Sequence, residues 1–160
     1  MQEFFLEHRT LIVFLHVISG VIWVGGMIAM RYAAHYSFLK IESPQKRLEH
    51  IAYALKRLFY IVLPFVAVLI ATAIFMIKGY ELSSSSFSTL SHAKEAIWTI
   101  MFLNLSIMIY RRNRGEMLLN KGDTVGAKKQ IELIGKFMVP LNIILGITAI
   151  FIGTYLSSAL

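Results

Sequence analysis

Two histidines in apolar surroundings are the residues of this chain best suited to chemistry. His16 opens the run FLHVISGVIWVGGMIAMRYAAH, Phe14 to His35, with Gly20 one turn on and Trp23 seven residues on. His92 opens SHAKEAIW, with Lys94 two residues later. Ionisable groups at membrane depth are costly and are functional candidates by default. Imidazole binds haem iron, copper and zinc. Haem suits an apolar slot lined by small and aromatic side chains, and its iron is held by axial ligands such as histidine. Copper traffic favours clustered methionine, whereas the eight methionines read as scattered. No carboxylate is expected beside the histidines inside the bilayer, which argues against a zinc hydrolase. A plainer reading stands beside the ligand role: His16 hydrogen-bonds a neighbouring helix and His92 lies at the interface. The absence of cysteine removes disulfides, zinc–thiolate sites, iron–sulfur ligation and thiol catalysis.

These residues need helices in a membrane to position them. The chain of 160 residues is 57% hydrophobic and only 16% charged, with a mean hydropathy of +0.66. Soluble domains average about 45–50% apolar and about 25% charged. A bilayer core about 30 Å thick needs about 20 apolar residues as helix. Runs at roughly 11–33, 55–77, 93–110 and 134–156 qualify or nearly so, with ends uncertain by about 2–4 residues. They use more than half the chain, so residues 1–160 are read as a single transmembrane domain. The expected fold class is an all-α integral membrane protein, a four-transmembrane-helix up-down bundle. A spanning barrel is excluded because the runs are too long and do not alternate.

The net charge of +7 sits in particular loops, so it reports membrane sidedness and not a nucleic-acid partner. The first loop carries Arg31, Lys40, Lys46, Arg47, Lys56 and Arg57, and the third carries Arg111, Arg112, Arg114, Lys121, Lys128, Lys129 and Lys136. The positive-inside rule places both in the cytoplasm. Both termini and the serine-rich second loop then face outward, which is the periplasm for a multi-pass protein of a bacterial inner membrane. The four-serine run reads as a linker or short loop, and Lys121 to Lys136 as a short amphipathic helix before helix four. The leader carries Glu3 and Glu7 where a cleavable signal peptide would be basic.

Helical spacing sorts the faces. His16, Gly20, Trp23, Met27 and Ala34 share a stripe, and Gly20 leaves space beside the imidazole for a flat cofactor or another helix. Arg57, Tyr60, Pro64, Ala71 and Phe75 lie on one side of helix two, which Pro64 is expected to kink. On helix three, His92, Ala96, Thr99, Leu103 and Tyr110 share a face, with Lys94 roughly opposite. Asn142, Gly146, Ala149 and Gly153 form a small-residue stripe suited to packing in lipid. Helices one and three run the same way, so His16 and His92 are expected at similar depth. His8, His35 and His50 read as solvated or interfacial.

The order of these motifs resembles the HemJ-type protoporphyrinogen oxidase family and the related CopD-like copper-resistance membrane proteins. The resemblance rests on Leu15, His16, Trp23, Gly26, Arg31 and His35 in helix one. It continues with KRLFYIVLPF and Thr72 in helix two, His92 to Lys94 opening helix three, and Pro140 in helix four. It implies a small membrane protein that binds haem b, with His16 as a haem ligand and His92 as the second axial ligand. Lys94 and Arg31 are carried over as functional positions, and Arg31 would meet a propionate, a substrate carboxylate or a lipid phosphate. The chain departs from the oxidase pattern at Phe137 and Met138, where the family has Asn-Glu, and at Leu90 and Ser91.

The reading that follows is a haem-b membrane protein working in electron transfer or in a HemJ-like oxidation of a porphyrinogen or quinol. His16 and His92 would be the axial ligands, Gly20 and Trp23 would shape the slot, and Lys94 or Arg31 would meet anionic groups. The rivals are a CopD-like copper uptake or tolerance protein and a non-catalytic membrane subunit of a respiratory complex. The expected partners are the lipid bilayer, a quinone or porphyrin, and a second copy of the chain or a respiratory complex.

Overall fold

The computed structural model describes residues 2–80 and 88–159. The four-serine run lies outside the described residues. Four long helices form the molecule: α1, Gln2–Leu39; α2, Pro44–Gly79; α3, Ser88–Asn120; and α4, residues 124–159. Each exceeds the apolar run that announced it, because amphipathic turns extend the helix past the apolar stretch at both ends. The stretch Lys121 to Lys136, read as a short amphipathic helix before helix four, is not separate: Thr124–Leu133 runs through Ile134–Met138 into Val139–Ala159.

The turns follow from local chemistry. Ser43 caps α2 by accepting from the Lys46 amide at 3.4 Å, and Pro44 follows at a position that needs no amide hydrogen. The end of α3 is closed by Gly122, whose φ of +80° is costly for any side-chain-bearing residue. Asp123 then caps α4 through the Gly126 amide at 2.8 Å. α2 continues as one helix through Pro64, with the ring on the exposed side, while the backbone leaves helical values in α1 at His8 (φ −111°, ψ 18°).

Each helix packs on its sequence neighbours, and α4 closes the ring against α1, giving an up-down-up-down bundle. Trp23 and Met27 of α1, Phe59 and Val62 of α2, Leu105 and Met108 of α3, and Ile134 and Val139 of α4 meet in its core. Gly146 permits close approach of α4 to α1, since a β-carbon there would collide with Val24. The N-terminal turn is held as well: Phe5 is fully buried over Gly79, and its ring meets Tyr80 edge-on at 4.9 Å.

The exterior is apolar. Phe14, Val17, Ile61, Ile74, Ile144 and Phe151 are large hydrophobic side chains turned outward. Contiguous apolar surface of this kind marks contact with a membrane or a partner. Three helices, α1, α2 and α4, are long and apolar enough to cross a membrane. α3 has comparable length but is not among them, because Lys94, Glu95 and Asn104 interrupt its apolar run.

Candidate functional site

The end of the bundle opposite the basic loops gathers polar groups from α1, α2 and α3, with Gly153 of α4 beside them. His16 of α1 places Nδ1 at 3.0 Å from Thr72 Oγ1 of α2. The Thr72 hydroxyl donates to the backbone carbonyls of Val68 (2.7 Å) and Leu69 (3.0 Å). With its one hydrogen on a carbonyl of its own helix, its oxygen is left to accept from the imidazole. The neutral imidazole consequently carries its proton on Nδ1 and keeps its lone pair on Nε2. A histidine fixed through one ring nitrogen, with the other free, is the usual arrangement of a metal-binding imidazole.

Lys94 of α3 is half-buried and lies within electrostatic reach of His16. Its ammonium rests against α4, where a β-carbon at Gly153 would stand 2.8 Å from Nζ. No ion pair among the described residues involves it. Trp23 is 2% exposed, and its indole Nε1–H has no hydrogen-bond partner among the described residues. Leaving a buried donor unpaired costs about 1–3 kcal/mol.

The other expected site residues are placed differently. Gly20 faces α2, where a β-carbon would meet Leu69 at 3.8 Å, an ordinary contact, so the helix packing does not require glycine there. His92 is 62% exposed and pairs with Glu95 at 3.1 Å on its own helix. The structure thus does not bring His92 to His16, and a carboxylate does accompany His92. The helical period explains this, since His92 and Lys94 are about 200° apart on one helix and only one can face inward. Ala96, Thr99, Leu103 and Tyr110 share the His92 face as expected, and that face is the outward one. The Arg57, Tyr60 and Pro64 side of α2 is also outward. Arg31 sits about 22 Å further along α1 than His16, at the basic end.

Several residues escaped the sequence reading. Thr72 was visible only through the resemblance, although a lone hydroxyl in an apolar run is a signal in itself. Gly153 was assigned to packing, and nothing in the sequence linked it to Lys94. The methionines include one close pair, Met27 and Met30, of which Met27 is fully buried in the core. Arg112, counted among loop charges, is 3% exposed and spans α3 to α2. Among the described residues no three of His, Asp and Glu gather as a metal site. Comparisons with the models of protein families, with curated proteins and with solved structures found no match for this chain.

Proposed function

We propose that the chain is a four-span membrane protein that binds a b-type haem in the half of the bundle away from the basic loops, with His16 Nε2 as axial ligand. The observation that carries this reading is the 3.0 Å contact of His16 Nδ1 with Thr72 Oγ1, whose hydroxyl donates within its own helix; an imidazole donating through Nδ1 would keep Nε2 unprotonated for a ligand. A haem needs only one or two protein ligands because the macrocycle fills four positions, whereas a bare metal ion needs a cluster of side chains. The donor set here is one imidazole, together with an ammonium that has no ion-pair partner and an indole N–H that has no hydrogen-bond partner among the described residues. That set suits a flat metal chelate with anionic carboxylates better than a naked ion.

When bound, haem supplies one-electron chemistry. Thr72 holds the imidazole in one tautomer and orientation. Lys94 offers its ammonium to a propionate, or to the carboxylate of a substrate. The electron donor in this reading is a quinol or a porphyrinogen. α3 acts as the fourth span: its inward side carries Lys94, Asn104 and Arg112, while Leu103, Ile107 and Tyr110 face outward. The basic loops put the termini on the outer side.

The test is an absorbance spectrum of detergent-purified protein, oxidised and dithionite-reduced, with a pyridine haemochrome assay. The expected result is a b-type haemochrome and a Soret band that is lost in His16→Ala. Stoichiometric copper on haem-free protein would replace this reading with copper handling, and full haem retention in His16→Ala would remove the ligand assignment.

A further inference from the structure

The basic end of the bundle carries a second feature that a haem site does not use. α1 and α4 each pass through a π-helical segment there, Met30–Ala34 and Ile134–Met138. Such segments are rare and frequently mark functional sites. The two wall the same cleft: Met30 and Arg31 come from the first, Gly135 and Lys136 from the second. The cleft has a volume of about 370 Å³, and Leu48, Ile51 and Leu55 of α2 form an apolar side of it. Ligand sites are commonly about 300–1,000 Å³.

Charge in the cleft is one-sided. Arg31, Arg47, Lys128 and Lys136 line it against one acid, Glu132. No ion pair among the described residues involves any of the four cations. Arg47 donates Nε (2.9 Å) and Nη2 (2.7 Å) to the Ile41 carbonyl, which fixes its guanidinium and leaves Nη1 for another partner. Above Gly135 the space is open, since a β-carbon there would meet nothing within 4 Å.

We propose that this cleft binds an anionic glycerophospholipid, its phosphate on Arg31, Arg47 and Lys136 and one acyl chain along Leu48, Ile51 and Leu55. An apolar wall with a cationic rim complements an amphiphile with an anionic head. The cleft also lies at the helix ends that carry the basic loops, where headgroups of one leaflet sit. Basic pockets between membrane helices recognise anionic headgroups in this way.

The experiment uses the full chain in detergent, titrated with phosphatidylglycerol or with phosphatidylcholine of the same acyl chains. Retained lipid is counted by native mass spectrometry, and thermal unfolding is followed in parallel. One phosphatidylglycerol per chain is expected to stay bound while phosphatidylcholine does not. Arg31→Gln and Lys136→Gln should each weaken retention about fivefold. Gly135→Leu fills the open space with a good helix former and should abolish retention without loss of folding. The control pair Lys121→Gln and Lys129→Gln, off the cleft, should leave retention unchanged. Equal binding of the two lipids, equal loss in the control pair, full retention in Gly135→Leu, or the same stabilisation by inorganic phosphate alone would each overturn the proposal. All of these substitutions lie at the end away from His16, so the result is independent of whether haem is bound.

Discussion

Two sets of buried polar groups in this bundle are met to different degrees within the chain. Arg112 makes four hydrogen bonds: Nε to the Ala52 carbonyl at 2.9 Å, Nη1 to Asn113 (2.9 Å) and Glu116 (2.8 Å), and Nη2 to Glu116 at 2.8 Å. Asn104 donates to the Met138 carbonyl and to Asn142 Oδ1, both at 2.8 Å, and Asn142 donates back to the Met101 carbonyl at 3.3 Å. These groups tie α3 to α2 and to α4. By contrast, the Lys94 ammonium has no ion-pair partner and the Trp23 indole N–H no hydrogen-bond partner among the described residues. A saturated polar group holds helices together, whereas an unsaturated one is held in readiness for something outside the chain. The contrast separates framework from site without any appeal to residue type.

Substitutions can break that contrast. The largest effect on stability is expected from Arg112→Ala, which removes the donor to the buried Ala52 carbonyl and opens a gap between α3 and α2. The cost is about 2–4 kcal/mol, read as a lower midpoint of thermal unfolding in detergent. Haem bound per folded molecule should not change; a parallel loss of haem would merge the two sets into one network.

Thr72→Val keeps the shape of the side chain and removes the acceptor for His16. Loss of such an orienting partner lowers metal affinity about 10–100-fold. Haem titration of the apoprotein measures it, and an unchanged affinity would detach Thr72 from the site. Removing an interhelical hydrogen bond in a membrane bundle costs about 0.6–1.7 kcal/mol, so the fold should survive.

Gly153→Ala sharpens the comparison further. The added carbon displaces only the mobile end of Lys94, and alanine favours a helix over glycine by about 0.5–1 kcal/mol. Stability is expected to hold or rise while the position of the ammonium shifts, seen as a change in the haem spectrum or redox midpoint. A fall in stability with an unaltered spectrum would mark Gly153 as a packing residue. The smallest effect belongs to His92→Ala. It should leave the spectrum unchanged and alter stability by less than about 0.5 kcal/mol, because the ring is solvent-facing and pairs within its own helix.

The helices were legible because their apolar runs are long, and face assignments held where helical period alone decides them. His92 and Lys94 were correctly separated to opposite sides of α3, but which side faces inward was not written in the local pattern. α3 is nearly as apolar on its outer face as on its inner one, with exposed Leu103 and Ile107 against buried Leu105 and Met108. In water that ambiguity would be absent, since the outer face would be polar. Arg112 was hidden for a related reason: a charge close to a basic stretch reads as loop until a neighbouring carbonyl and an acid one turn away are seen to enclose it.

By itself the sequence determined the helical class, the number of long helices and the asymmetric placement of basic residues. Each depends on neighbours within a few positions, through backbone propensity and hydropathy. The tertiary structure alone decided that His16 meets Thr72 across 56 residues, that Lys94 lies over Gly153, and that the two π-helical segments face one another across a cleft. Those pairings depend on helix rotation and register, which in an apolar bundle are set by small-residue contacts such as Gly146 against Val24. Hydropathy carries almost no information about them, because lipid and core are equally apolar.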